Sequence, residues 1–187
     1  MTHFEYIAVI VSIILGLGIV RLLGILDQVF SKDRYWPHAV WVITVFWMHV
    51  QNWWAFWDMR TTDFNVVLYT IWVGFVSLMY MCTVALTNKR NDDTSWKAHY
   101  YEQRRWFFGV LALTILAAIF VSFVFFGTSF LHPYRALQLT LLILSIVAFF
   151  TDRERIHGPL SVLFLVLFFA GFSMFRFLPG LFDGQPG

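Results

Sequence analysis

The sequence predicts an all-α membrane protein: a bundle of about six transmembrane helices with both termini on the outer side. Two observations carry this. Of the 187 residues, 59% are hydrophobic and 13% charged, against about 25% charged in an average soluble domain. The apolar residues also gather in six runs of near-membrane length, separated by short polar breaks. A soluble chain of this size has no means of burying so much apolar surface, because the buried fraction rises only slowly with length. Lipid removes the conflict. Residues 1–179 read as a single transmembrane helical domain, with 180–187 as a tail.

A spanning helix needs about 20 mostly apolar residues at about 1.5 Å each. The first run, Glu5–Phe30, is preceded by an acidic rather than a basic stretch and is followed by no small-residue cleavage site. It therefore reads as a span and not as a removable leader. The second, Pro37–Trp57, opens on a proline, whose missing N–H costs nothing in a first helical turn. Thr61, Thr62 and Asp63 offer caps to the third, Phe64–Thr87. The fourth, Trp106–Phe126, stops at Gly127; the fifth, Tyr134–Thr151, follows Pro133 and is the shortest; Gly158-Pro159 opens the sixth, Pro159–Leu178. Short connections force neighbouring helices to run antiparallel. The exception is 88–105, where Trp96, Tyr100 and Phe107 recur at helical spacing among Lys97, Arg104 and Arg105. That pattern predicts a short interfacial helix with its aromatic face in the headgroup layer. Its cations offer a surface to anionic lipid or to a cytoplasmic partner.

Orientation follows from the thirteen cations. Lys32, Arg34, Lys89, Arg90, Lys97, Arg104, Arg105, Arg153 and Arg155 fall to one side, Arg60, Arg135 and Arg176 to the other, and Arg21 lies within the first span. The positive-inside rule puts the nine in the cytoplasm and both termini outside. Trp36, Trp96 and Trp106 mark one interface; Trp53, Trp54 and Trp57 mark the other. A net charge of +2 with no strong basic cluster is too small to suggest a nucleic-acid partner, and none is expected. Cys82, the single cysteine, sits in an apolar run and reads as a buried thiol.

Polar residues inside apolar spans are costly, and each is a candidate site unless it glues helices together or snorkels to the interface. Arg21 lies near the cytoplasmic end of its span, with Gly24 and Gln28 on its face, and reads either as a snorkelling cation or as a functional one. Glu5 lies at the opposite end, on a face shared with Ser12 and Gly16. In the second span Trp47, Gln51, Trp54 and Asp58 form one stripe at 100° per residue, with His38, His49 and Asn52 roughly opposite. Lacking a clean apolar side, this helix is expected to sit centrally. Thr114, Ala118 and Ser122 in the fourth span, and Thr70, Gly74 and Ser77 in the third, read as seams for close helix packing.

Among the histidines only His49 lies well inside a span. A mid-membrane imidazole is a candidate proton relay, or a hydrogen-bonded structural residue. His49 and Trp53 together resemble the histidine–tryptophan pair of the influenza proton channel, which implies a conducting histidine and a gating tryptophan. His38 and His49 are about 16 Å apart along a helix, too far to share a metal. The sequence contains no HExxH, GxSxG or phosphate-loop pattern. No cofactor, metal or catalytic residue is therefore expected.

The opening His3-Phe4-Glu5-Tyr6-Ile7, the Gly16-Leu17-Gly18 that follows and the Trp-rich second span resemble a group of small multi-pass bacterial inner-membrane proteins without an assigned activity. The resemblance implies that setting and no chemistry. Two functions remain. One is a small channel or transporter, a homo-oligomer passing a proton or small ion past Glu5, Asp58, Gln51 and His49. Six helices in 187 residues leave little protein to enclose a path in one subunit, hence the expected self-association. The other is a non-conducting sensor, scaffold or lipid-binding protein acting through its basic loop.

Overall fold

The computed structural model describes residues 3–30, 34–88, 94–130 and 132–177, with side chains to 173. Seven α-helices follow one another: α1 His3–Leu23, α2 Leu26–Val29, α3 Trp36–Trp57, α4 Val66–Leu86, α5 Trp96–Phe126, α6 Pro133–Phe150 and α7 Glu154–Phe177, with a 3-10 turn Asp58–Thr61 after α3. No strand occurs among the described residues. Five helices, α1, α4, α5, α6 and α7, are long and apolar enough to cross a membrane. The chain is thus a multi-pass helical membrane protein. The remaining long helix, α3, has 22 residues, but His38, His49, Gln51 and Asn52 dilute its apolar character.

The long helices close into a ring. α1 packs on α4, α4 on α5, α5 on α6, α6 on α7, α7 on α3 and α3 on α1, with α3 also reaching α4 and α5. Contacts between helix ends fix the two ends of the bundle. At one, the His38 Nε2–H donates to Leu86 O (3.0 Å) and Lys97 pairs with Glu154 (2.6 Å). At the other, Phe4 stacks on Phe56 (4.8 Å) and Phe64 lies 5.9 Å from Phe125. The first carries Arg34, Lys97, Arg104, Arg105, Arg153 and Arg155 and is the basic end. The second holds the start of α1 and the last turns of α7 and is the terminal end.

Several boundaries differ from the sequence reading, each for a local reason. The first run breaks at Gly24-Ile25, where Ile25 N–H bonds Leu22 O in a tightened last turn, so α1 is shorter than Glu5–Phe30. Asn65, not Thr61 to Asp63, caps α4, its Oδ1 accepting from Leu68 N (2.9 Å). α7 begins at Glu154, leaving Pro159 inside the helix. The predicted interfacial helix is instead the first part of the 31-residue α5. Its aromatic stripe faces protein rather than headgroups: Trp96, Tyr100 and Phe107 are buried, against Tyr35, His38 and Trp41. Gly127, at φ +57, ends α5 in a left-handed cap that favours glycine. Lys32, Lys89, Arg90 and the tail 180–187 lie outside the described residues.

The central position expected of the second span holds for most of α3, whose His38, Trp41, Val42, Thr44, Val45 and His49 are buried. Its last turns differ, with Trp53, Trp54 and Trp57 exposed. Of the two small-residue seams, Thr70 and Gly74 stand exposed on the outside of the bundle with open space beyond Gly74, so in a single chain they pack against nothing.

Candidate functional site

Side-chain size decides where the bundle is solid and where it is hollow. In the basic half, the buried Trp41 ring lies 5.3, 5.1 and 4.9 Å from Phe107, Phe108 and Phe164. In the terminal half, Ile7, Val11 and Leu15 of α1 pack with Phe56, Trp72, Phe75 and Met79. Between this second cluster and the terminal halves of α6 and α7 lies a chamber of about 370 Å³. It extends from Phe164 and Leu141, against the aromatic plug, to Phe126, Thr128 and His132 at the α5–α6 turn. That volume falls within the range of small-molecule sites, about 300–1,000 Å³.

The walls are mostly apolar with a few convergent polar groups. Gln51 and Asn52 enter from α3, Trp72 from α4, Thr114 and Ser122 from α5, and Gln138 from α6. Three atoms stand out: Gln51 Oε1, Asn52 Oδ1 and Trp72 Nε1 are buried, with no hydrogen-bond partner among the described residues. Buried polar groups are satisfied in about nine cases in ten or more, and an orphan costs roughly 1–3 kcal/mol. All three belong to residues of the chamber wall, but the atoms themselves are closed off from its space.

Behind the wall near the α5–α6 turn sits Arg135, only 4% exposed. Its Nη1 donates to Gln138 Oε1 (2.7 Å), Ser122 Oγ (2.9 Å) and Ile119 O (3.3 Å), and its Nη2 donates to Thr128 Oγ1 (3.1 Å). The guanidinium lies 4.0 Å over the Phe123 ring. Its Nε has no partner, and among the described residues no carboxylate pairs with it.

At the basic end the polar groups serve closure. The His157 Nε2–H donates to Thr151 O (2.8 Å), which leaves Nδ1 to accept from the Tyr100 hydroxyl (3.0 Å). Arg104, 3% exposed, donates to Thr151 O (2.6 Å) and pairs with Asp152. Burial and the neighbouring Tyr101 hydroxyl push the Tyr35 phenol above its ordinary range, so it stays protonated beside Tyr101 (3.2 Å).

The candidate residues from the sequence divide accordingly. Gln51 and Asn52, expected on opposite stripes, flank one face of α3 and meet in the chamber. His49 is fully buried; its Nδ1–H donates to Val45 O (2.8 Å), and Nε2 lies 3.4 Å from Thr83 Oγ1. Both nitrogens of a neutral imidazole are thereby used. Trp53, 49% exposed, stands at the bundle surface. Glu5 lies exposed in the first turn of α1, and Asp58 begins the 3-10 turn. Arg21 is exposed at the basic end and donates from Nε to Thr87 Oγ1 (2.5 Å). Sequence reasoning missed Trp72 and Gln138 as chamber residues, and it read Arg135 only as one of three cations on the outer side. It also read Thr114, Ala118 and Ser122 as a packing seam, whereas they form a wall of the chamber. The available signal was Arg135 and Gln138 at i, i+3 inside an apolar run.

No family model, curated protein or solved structure matches this chain.

Proposed function

We propose that the protein is a small membrane transporter that takes a small amphipathic molecule into the terminal-half chamber. The observation that carries this reading is the chamber of about 370 Å³, whose mostly apolar wall carries a few polar residues, Gln51, Asn52 and Gln138 among them. A transporter-type mechanism fits better than an open pore, because the plug of Trp41, Phe107, Phe108 and Phe164 seals the basic half. A chamber confined to one half of the bundle and closed off from the other half fits one state of alternating access. The path then runs within one subunit and needs no second copy. By the positive-inside rule the basic end faces the cytoplasm and the chamber faces outward, as in a bacterial inner membrane.

The hydrogen bonds of His49 support a structural role for it rather than a proton relay. The same chamber also suits a non-conducting sensor, since its floor is sealed. Proteoliposomes separate the two: a panel of small neutral and charged solutes is followed for protein-dependent uptake, with Gln51→Met as control. A transporter gives uptake of at least one solute that Gln51→Met reduces about tenfold, the loss of one good hydrogen bond to ligand. Binding without uptake assigns the sensor, and neither binding nor uptake overturns the proposal.

A further inference from the structure

We infer that the molecule taken into the chamber is an anion, recognised through the buried charge of Arg135. This rests on the chamber being a ligand site and adds the charge class of the ligand. Arg135 is the third residue of α6. From so near a helix end an arginine ordinarily snorkels to the interface. This one turns inward, 4% exposed, and is held by four neutral acceptors rather than by a carboxylate. Three of those acceptors, Ser122, Thr128 and Gln138, are themselves chamber wall. The charge thus lies one layer of neutral groups behind the cavity.

No Asp or Glu lines the chamber among the described residues. A charge held in a low-dielectric interior without a counter-ion is costly, and its field is little screened there. An anion entering the chamber supplies that counter-charge, whereas a cation meets repulsion. A donor that would touch the anion is also in place. The Gln138 Oε1 accepts from Arg135, which orients the carboxamide and leaves its nitrogen to donate. The hydroxyl protons of Ser122 and Thr128 are committed to Ile119 O and Ser122 O. They relay no contact and serve to fix the guanidinium. The apolar remainder of the wall, including Phe75, Phe126 and Phe168, suits a compact hydrophobic body. The ligand class is therefore a small amphipathic carboxylate or a comparable organic anion.

Three probes of one shape decide the matter: benzoate, benzamide and benzylamine, titrated calorimetrically into the purified full-length protein. Benzoate is expected to bind about tenfold or more tighter than benzamide, as a charge-assisted interaction requires, and benzylamine not at all. Arg135→Gln should remove the benzoate preference while leaving benzamide binding, and Arg135→Lys should keep most of it. Should the Arg135 variants fail to fold, the ranking of the three probes on the wild-type protein still decides. Benzamide binding as tightly as benzoate overturns the anion inference and leaves the chamber as a ligand site. Binding of none of the three overturns both.

Discussion

The imidazole of His49 occupies the space that a side chain on Gly18 would fill. A Cβ added at Gly18 would overlap His49 Nε2 and come within 2.6 Å of Cδ2. The ring cannot swing away without breaking the bond from Nδ1–H to Val45 O. The glycine of α1 and the histidine of α3 thus form one packing unit, which lets the two helices approach closely.

Gly18→Ala should therefore destabilise the bundle by about 1–3 kcal/mol, the usual cost of overpacking. In a His49→Ala background the same substitution should cost clearly less, because the space is vacated. Unfolding of all four proteins in mixed detergent micelles measures the coupling. Additive effects would mean that the contact is slack.

His49→Phe should lower stability by about 1 kcal/mol, the scale of a lost hydrogen bond within a membrane bundle, and leave transport intact. Flux assays alongside the unfolding measurement check both halves. Loss of pH-dependent flux in a protein of unchanged stability would restore the proton pathway.

Gln51→Met should leave the ligand-free protein equally stable or more stable. It replaces a buried acceptor without a partner by an apolar group of similar volume, removing a penalty of roughly 1–3 kcal/mol. Ligand uptake should fall in the same variant. A clear loss of ligand-free stability would mean that ordered water already satisfies the amide.

Arg104 and Asp152 should respond unequally to substitution. Asp152 is 76% exposed, so Asp152→Asn should cost under about 1 kcal/mol. Arg104→Met removes a buried donor from Thr151 O as well, leaving that carbonyl with His157, and should cost about 1–3 kcal/mol. Equal effects, measured by thermal unfolding, would contradict this division of labour.

Reporter fusions test orientation. Fused after Arg90, a reporter should read cytoplasmic, and after Gly187 it should read external, following the cation asymmetry. The reverse pattern would invert the chamber's facing and with it the direction of uptake.

The sequence alone determined that this is a multi-pass helical membrane protein, because run length and apolarity are local quantities that lipid reads directly. It also placed most helix boundaries to within a few residues, and the unusual character of α3 followed from polar residues on both of its faces. It could not show that Gln51 and Asn52 meet in one cavity, since residues 100° apart on a helix share a face only relative to the neighbours. Nor could it separate a packing seam from a chamber wall in Thr114, Ala118 and Ser122, whose spacing is the same for both. The tertiary structure decided these points through side-chain volume. Trp41, Phe107, Phe108 and Phe164 fill the basic half, while smaller residues such as Ala55, Ala118 and Ser122 leave the terminal half open. Whether a helical stripe becomes core or cavity depends on the sizes of the side chains facing it from other helices, and spacing along one helix carries no record of those.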